Sequence, residues 1–395
     1  MYRWMSLFLV APLFASSLAL AGTWRVELDG SGDFTTIQDA LDAAAAGDSI
    51  LVGPGEFTHS RLIPEWEGFR ATAAIYKSGL KIIGAGADLT VVGEDTVDWY
   101  YNVFVAGEPL APISDFSVSD LTVRGGLKGM HYECDGLMVE RCRFELSEAG
   151  IFGVDVDVAK VRDCEFYTKF NGILVIFGST DWTIANCTIN GSRNGIMIDG
   201  SMGARITDCL IQNCGEGIEF YYSAGEIIRT QVIGSPDTEN GVGIGSVAGS
   251  RLLLVDSFID YTQNSTWWAL SAQAGEFTGH GNQIRGGGNS SVDFLTNRDG
   301  DYSFDFHNND IYKADQYALV LLDLVSNPSA PILHYDLTNN YWGTTDPDSI
   351  AAWIDDANDH PGDLNYRGIV DFEPFLVDQV PVRKKSLSDV KGLFR

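Results

Sequence analysis

Two acidic residues, Asp199 and Glu219, have the type and spacing that acid–base chemistry requires. Asp199 lies three residues after Ile196 in one Gly-Ile segment. Glu219 lies one residue after Ile218 in the next such segment. If both isoleucines point into a core, the two acids project from one face of neighbouring strands, with Cα atoms on the order of 8 Å apart. Carboxyl groups at that range suit the acid and the base of an inverting glycosidase. In so acidic a chain, an accidental pairing of two solvated carboxylates is the competing interpretation.

The residues that follow each Gly-Ile or Gly-Met pair define two outward columns on this face. The columns are His131, Phe152, Leu174, Met197 and Glu219, and Glu133, Val154, Ile176, Asp199 and Tyr221. The face is apolar in its middle, where desolvation would raise the pKa of a neighbouring carboxylate. We predict substrate contacts from five side chains: His131, Glu133, Phe152, Tyr221 and Tyr222. An apolar patch of this kind has three equal explanations: a loop that covers it, a partner interface or a ligand groove. Residues 59–77 are long enough to form such a loop.

Calcium is the metal that the acidic residues favour. Asp155 and Asp157 form a D-x-D pattern on one predicted strand, so both side chains should point to the same side. Hard oxygen ligands suit calcium, although the spacing matches no EF-hand loop. Solvated acidic turns are the alternative interpretation. No cluster has histidine or cysteine at the spacing of a zinc or copper site.

A repeat of about 22 residues positions these side chains. Gly-Ile pairs recur at separations of 22, 23 and 22 residues, at Gly150-Ile151, Gly172-Ile173, Gly195-Ile196 and Gly217-Ile218. A second column has the same separations and consists of Cys142, Cys164, Cys187 and Cys209. Two registers with one period indicate a solenoid, in which stacked cysteines are small buried hydrophobic residues. The state of Cys134 and Cys214, which lie outside the column, stays open, because export would permit disulfides.

The repeat predicts an all-β fold, a single right-handed parallel β-helix. Each unit opens with an alternating strand, continues through a polar turn and ends with the Gly-Ile strand. Leucine-rich repeats have a similar length and are the runner-up, but they usually carry a helical segment in each unit. Here the apolar positions hold mainly Ile, Val, Phe and Cys, and nothing between the strands has a helical period. Strands of successive coils then stack as parallel sheets with right-handed crossovers.

The ends of the chain carry distinct signals. Residues 1–21 combine Arg3, an apolar run and an Ala-Leu-Ala cleavage pattern, which predicts a leader and a secreted, periplasmic or cell-surface protein. Residues 22–376 form the predicted β-helix with its caps, and residues 377–395 form a flexible basic tail. Thr35 and Gln38 resemble a capping box, which predicts an N-terminal capping helix from Ile37 to Ala46 with Gly47 as C-cap. A second short helix is expected over 349–356.

The net charge of the chain limits the classes of molecule that it is expected to bind. Lys and Arg number 26 against 54 Asp and Glu, which gives a formal net charge of −28. This charge argues against nucleic acid and anionic membrane surfaces, and it would oppose a polyanionic glycan unless a cation bridged the two. Solubility alone is the other explanation. After the leader, no stretch is long and apolar enough to predict a transmembrane helix.

Several segments resemble the pectin-lyase-like superfamily, in particular its bacterial exported β-helix proteins. They are Val26 to Gln38 (VELDGSGDFTTIQ), Gly47 to Gly55 (GDSILVGPG), Leu80 to Asp88 (LKIIGAGAD) and Asn339 to Gly343 (NNYWG). The resemblance covers nearly the whole mature chain and implies a β-helix, export and a polysaccharide as partner. The function it suggests is binding or processing of extracellular polysaccharide, of hydrolase or lyase type. Fold does not fix function, however, so a non-catalytic surface solenoid that mediates protein or glycan interactions is the alternative.

The catalytic motifs of two related enzyme classes are missing. Pectin methylesterases resemble one another around a D-F-I-F-G segment, and the nearest match here has Leu174 in place of the catalytic aspartate. Polygalacturonases carry N-T-D and D-D before G-H-G, whereas here Gly279-His280-Gly281 has neither motif upstream. We therefore expect neither chemistry.

Overall fold

The computed structural model describes residues 21–66, 68–107, 113–236, 241–263, 268–273, 275–297, 303–325 and 329–381. The described strands form three long parallel sheets around one core, together with a short two-stranded sheet. A coil contributes one strand to each long sheet in turn, for example Met138–Glu140, Arg143–Glu145 and Ala149–Val154. The predicted right-handed parallel β-helix is thereby confirmed.

The first sheet is built from the alternating segments that open each repeat. In the strand Lys160–Arg162 the central Val161 is fully buried and both neighbours are exposed. The strands are, in spatial order, Thr23–Val26, Ser49–Val52, Lys81–Gly84, Ser117–Ser119, Met138–Glu140, Lys160–Arg162, Thr183–Ala185, Ala204–Thr207, Ala224–Ile228, Ser250–Val255, Gly275–His280 and Ser303–Phe306.

The second sheet lies where we expected only a polar turn, and that expectation was wrong. Some of its short strands, such as Arg143–Glu145 and Glu165–Tyr167, place one buried phenylalanine between less buried neighbours, and the rings of Phe144 and Phe166 stack with centroids 4.7 Å apart. The strands are Gly55–Phe57, Thr90–Gly93, Thr122–Arg124, Arg143–Glu145, Glu165–Tyr167, Thr188–Asn190, Leu210–Cys214, Gln231–Gly234, Phe258–Asp260, Gln283–Arg285 and Asp310–Tyr312.

The third sheet contains the Gly-Ile segments and carries the candidate site. Ile151, Ile173 and Ile196 align on adjacent strands and are fully or almost fully buried. The strands are, in chain order, Arg61–Leu62, Arg70–Ile75, Tyr101–Gly107, Lys128–Glu133, Ala149–Val154, Asn171–Ile176, Asn194–Asp199, Glu216–Tyr221, Ile244–Val247, Leu270–Gln273, Ser290–Asn297, Tyr317–Leu324 and Ile354–Asp355. Pairing is parallel except that Arg61–Leu62 runs antiparallel to its neighbour.

The cysteine column is confirmed. Its four members are buried and in the thiol form, and each Sγ donates to the carbonyl two residues earlier, as Cys187 does to Ala185 at 3.3 Å. They lie at the corner between the first and second sheets, so the cysteine column belongs to a turn between strands and not to any sheet. Cys134 and Cys214 are also buried and unpaired.

The first coil is covered by helix α1, Ile37–Ala43, whose Ile37, Ala40 and Leu41 join the core. The Thr36 hydroxyl accepts from the Asp39 amide, so the N-cap is Thr36, one residue later than predicted. Gln38 instead bonds to the backbone of Ala74. The helix ends three residues earlier than predicted, with C-cap Ala44 in place of Gly47.

Near the other end, helix α2 spans Pro347–Ala351, a shorter and earlier helix than predicted. The two-stranded sheet joins Leu333–Asp336 to Gly368–Asp371. Residues 1–20 and 382–395, which hold most of the predicted leader and tail, lie outside the described residues. No helix in the described part of the chain is long and apolar enough to cross a membrane.

Candidate functional site

Asp199 and Glu219 project from the outward face of the third sheet, on adjacent strands. The strand register aligns Met197 with Glu219 and Asp199 with Tyr221. The residues between them along each strand are buried in the core, whereas these four side chains are partly or largely accessible. The predicted orientation of the two acids is therefore the orientation observed. They are offset by one strand and by two residues along it.

Glu216 lies on the same strand as Glu219 and is the acidic residue that adds to the effect of burial on the Glu219 pKa. Burial is the main cause that raises the pKa of Glu219 to about 7; the negative charge of Glu216 and a hydrogen bond between the two carboxyl groups raise it further. When the Asn194 amide nitrogen faces Glu216, it donates to Oε2 at 2.9 Å. One proton shared by two carboxyl groups, with the second carboxyl oriented by an amide, is an arrangement that keeps an acid protonated near neutral pH.

Two tyrosines border Asp199. Tyr221 ends the strand and pairs in register with Asp199, while Tyr222 follows in the left-handed region at φ 45°. Their rings lie 6.0 Å apart, and Tyr222 is 64% exposed. Two exposed tyrosine rings beside a carboxylate provide a flat apolar surface and hydroxyl groups that a ligand can contact.

The opposite end of the face holds a polar group made of buried His131 and the partly buried Lys128 and Glu133. His131 Nε2 and Glu133 Oε1 are 2.9 Å apart, and Lys128 Nζ lies 3.3 Å from His131 Nδ1. Burial lowers the pKa of His131 and lowers that of Lys128 to about 8. If Lys128 donates to Nδ1, the neutral imidazole carries its proton on Nε2 and donates it to Glu133.

Among the residues that the structure describes, a covering loop lies over this end of the face. Residues 70–75 of the predicted cover are a strand of the sheet itself. Trp66 from the preceding turn lies over His131, with ring centroids 4.5 Å apart. His131 is therefore 8% exposed, and a direct substrate contact by it loses support. Phe152 is partly exposed beside it.

Asp155 and Asp157 do not lie on one strand, so that premise was wrong. The strand ends at Val154, and Asp155 adopts a left-handed conformation at φ 51°. Asp157 forms an isolated bridge one coil from Thr180, whose hydroxyl donates to the Asp157 carboxylate. In the part of the chain that the structure describes, no three His, Cys, Asp or Glu side chains are grouped as a metal site would require. The strand geometry that suggested calcium at this pair is thus absent.

Sequence reasoning missed Glu216 and Asp293. Glu216 belongs to a third column of residues, those immediately before the Gly-Ile or Gly-Met pairs, whose members are Lys128, Ala149, Asn171, Asn194 and Glu216. That column was legible in the sequence. Asp293 continues the Glu219 column through Gly245 and Ser271, and its burial raises its pKa to about 6. Irregular coil lengths in that region hid its alignment.

Comparison with solved structures shows which proteins have a similar fold. The catalytic domain of a GH87 alpha-1,3-glucanase variant in complex with tetrasaccharides is similar to this chain, with a TM-score of 0.54 and 13% identity over 92% of this chain and 70% of that chain. The chain thus has the fold of a right-handed parallel β-helix. The same glucanase domain in complex with nigerose gives a TM-score of 0.53 at the same identity and coverage. A more distant likeness is the alginate lyase from Paenibacillus sp. str. FPU-7, with a TM-score of 0.44 and 13% identity over 81% of this chain and 95% of that chain.

Residues 90–267 of the β-helix, less than half of the chain, match the family model described as periplasmic copper-binding protein (NosD). No match was found among curated protein sequences. The described residues do not fit a copper ion. All six thiols are buried within the β-helix, both ring nitrogens of His131 have partners, and the described ranges hold no metal-ligating group of three.

Proposed function

We propose that this protein binds a polysaccharide along the outward face of the third sheet and hydrolyses it, with Glu219 as general acid and Asp199 as general base. The observation that supports this most is the Glu216–Glu219 pair. With a pKa of about 7, a large fraction of the Glu219 carboxyl groups carries a proton in neutral solution. A general acid is most effective when its pKa lies near the working pH.

In the proposed reaction, the Glu219 carboxyl donates its proton to the glycosidic oxygen as the bond from that oxygen to the anomeric carbon breaks. A water attacks the anomeric carbon from the opposite face, and Asp199 accepts a proton from that water. From the strand register, the two Cα atoms are on the order of 8 Å apart, which leaves room for the water. Solvent then returns the proton from Asp199 to Glu219.

Glu216 acts in this scheme as a positioning residue. Its charge and its hydrogen bond hold the proton on Glu219 in the free protein. Binding of a sugar would displace solvent and strengthen this effect. Tyr221 and Tyr222 would stack against a sugar ring next to Asp199, because their exposed faces are apolar and their hydroxyl groups are polar.

Two further observations support an extracellular polysaccharide as substrate. The glucanase domain with a similar fold is described as bound to tetrasaccharides. The predicted leader, together with the periplasmic description of the matching family model, supports action outside the cytoplasm. The missing pectin methylesterase and polygalacturonase motifs direct the proposal away from those two chemistries.

The test is release of reducing ends from neutral and acidic polysaccharides by the wild type, Asp199→Asn and Glu219→Gln. We expect hydrolysis of at least one polysaccharide by the wild type and a loss of about 100-fold or more in each variant. Glu276→Gln, on the outward side of the first sheet, is the matched control and should keep full activity. Activity that persists in both site variants would remove these residues from the mechanism.

The second candidate function is a non-catalytic solenoid that displays a binding surface. The observation that favours it is the stripe formed by Phe152, Leu174 and Met197 on three adjacent strands, each partly exposed. Such stripes mark interfaces as well as grooves. Binding of a polysaccharide without any product release from the whole panel would favour this alternative.

A further inference from the structure

A continuous line of aromatic rings leads from the loops at one end of the solenoid onto the face that carries Glu219. Ring centroids are 5.4 Å apart from Tyr100 to Phe69 and 5.4 Å from Phe69 to Trp66. The line continues from Trp66 to His131 at 4.5 Å and from His131 to Phe152 at 5.1 Å. Many of the aromatic residues in the described part of this β-helix are buried in its core. A line of rings outside the core therefore has a role other than core packing.

The loop that carries these rings is held in place before any ligand arrives. The Ile63 amide donates to the Phe69 carbonyl at 2.8 Å, and the Phe69 amide donates to the Trp66 carbonyl at 2.9 Å, which closes the turn. Ile63 packs beneath Trp66 with Ala71 and Val105 in a small separate core. A binding surface that is already ordered loses little conformational entropy on binding.

A second loop presses against the first. The Arg70 amide donates to the Tyr100 carbonyl at 2.8 Å, and the Arg70 guanidinium pairs with Asp98 at 3.2 Å and with Glu94. Tyr100 nevertheless remains 58% exposed and its neighbour Trp99 71% exposed. Large aromatic side chains that are ordered and yet exposed are typical of ligand-binding surfaces.

Phe152, the last ring of the aromatic line, lies on the same outward column of the sheet as Glu219. Strand register aligns Phe152, Leu174, Met197 and Glu219 in sequence. Phe152 and Glu219 are thus three strands apart, on the order of 14 Å at ~4.8 Å per strand, and the loop rings lie farther along the same direction. A ligand that reaches both must be an extended chain of several sugar units.

The charge of the intervening face selects against anionic chains. The strands Ala149–Val154, Asn171–Ile176, Asn194–Asp199 and Glu216–Tyr221 contain no lysine or arginine, while they contribute Asp199, Glu216 and Glu219. Lys128, at the aromatic end, is engaged with the Phe152 ring at 3.4 Å. A uronate chain laid along this face would meet Asp199 and Glu216 with no lysine or arginine on the same four strands to oppose them, which is unfavourable.

We propose that Trp66, Phe69 and Tyr100 form a distal subsite for an uncharged polysaccharide that lies along the solenoid axis from these rings to Glu219. The apolar faces of sugar rings pack on the aromatic rings, and the acids at the other end contact the bond to be cleaved. The direction toward Glu219 rests on the proposed function. The stacking itself does not, because binding at the rings requires no hydrolysis.

The experiment measures binding by affinity electrophoresis in gels that contain laminarin, dextran or polygalacturonate, and by calorimetry with short and long nigero-oligosaccharides. The proteins are wild type, Tyr100→Ala, Trp66→Phe and the control Tyr167→Ala, an exposed tyrosine on the second sheet. Each is measured in the Glu219→Gln background as well, so that cleavage cannot obscure binding. Thermal melting confirms that every variant is folded.

We expect long neutral chains to bind the wild type and the Tyr167→Ala control equally, and to bind Tyr100→Ala up to about tenfold more weakly. Short oligosaccharides should not distinguish the proteins, because they do not reach the rings. Equal binding of long chains by Tyr100→Ala, Trp66→Phe and the control would overturn the subsite, as would a preference of the wild type for polygalacturonate. Ring-dependent binding without hydrolysis would leave the distal subsite intact and refute only the proposed function.

Discussion

Glu219 and Glu216 share a hydrogen bond between their carboxyl groups on one strand of the third sheet, and Glu219 has a raised pKa as a result of burial and of this neighbour. Two carboxylates in one site resist simultaneous ionisation, so one of them retains a proton. Glu219 lies in the row of outward residues that includes Met197. The pair therefore places a proton donor on the surface where a ligand would lie.

Replacing Glu216 should change the pH dependence of activity more than its maximum. In Glu216→Gln the neighbouring negative charge is lost, so the pKa of Glu219 should fall toward its ordinary value. The alkaline side of the pH–rate profile, which lies near pH 7 in the wild type, should then move to lower pH by about one unit. The measurement is kcat/KM against pH on whichever polysaccharide the wild type cleaves. An unmoved alkaline side would show that Glu216 does not hold the proton on Glu219.

The same pair should make stability depend on pH. The pKa of Glu219 is raised in the folded protein from 4.5 to about 7. Between these values the folded state binds more protons than the unfolded state, so stability should fall as the pH rises through this window. The loss should be on the order of 2 kcal/mol, less than the full linkage value because the carboxyl is partly solvated.

Denaturant unfolding from pH 4 to pH 8 tests this, with Glu219→Gln as the comparison. Asp293, whose pKa is raised to about 6, contributes a similar slope in both proteins, so the difference between them isolates Glu219. Identical slopes in the two proteins would contradict a raised pKa at Glu219.

The separation of the two acids predicts the stereochemistry of the product. Asp199 and Glu219 are offset by one strand and two residues, which leaves space for a water between carboxyl and sugar. We expect inversion at the anomeric carbon. Proton NMR of the first product, before mutarotation, distinguishes the two outcomes, and a retained anomer would require a covalent intermediate that this spacing does not favour.

The cysteine column belongs to a longer column of corner residues. Thr230 and Ser257 occupy the corner on later coils, and their hydroxyl groups donate to the carbonyl two residues earlier, as the cysteine thiols do. This corner therefore accommodates a small side chain that donates one hydrogen bond to the backbone. We expect Cys187→Ser to fold with a loss below about 1 kcal/mol and Cys187→Ala to lose about 1–2 kcal/mol.

Chemical denaturation of the two variants gives the comparison. In both, the remaining thiols should stay protected from labelling in the native protein, because the neighbouring coils are unchanged. A serine variant markedly less stable than the alanine variant would show that the corner tolerates only an apolar group.

The fold was readable from the sequence because period and side-chain direction are set locally. Gly150 and its equivalents are the second residue of successive third-sheet strands, and the next residue, Ile151 and its equivalents, points inward. Where coil length varies, as beyond Ile244, the same columns continue but cannot be counted from spacing alone. The second sheet escaped notice because a three-residue strand with one buried side chain shows no alternation.

The candidate site was predicted only in part. The outward direction of Asp199 and Glu219 follows from alternation around an inward isoleucine. The pairing of Glu219 with Glu216 depends on side-chain conformation and on burial, which alternation does not specify. The cover over His131 comes from Trp66, far away in sequence, so no local pattern could indicate that His131 is buried.

The most direct test of the central claim is a titration of the Glu219 carboxyl in the folded protein, which requires no substrate. Carbon-13 NMR of side-chain carboxyl groups, with Glu219 assigned from Glu219→Gln, follows its ionisation as the pH is raised. We expect a midpoint near 7 in the wild type and a lower midpoint in Glu216→Gln. A midpoint near the ordinary glutamate value of 4.5 in the wild type would contradict the assignment of Glu219 as a proton donor at neutral pH.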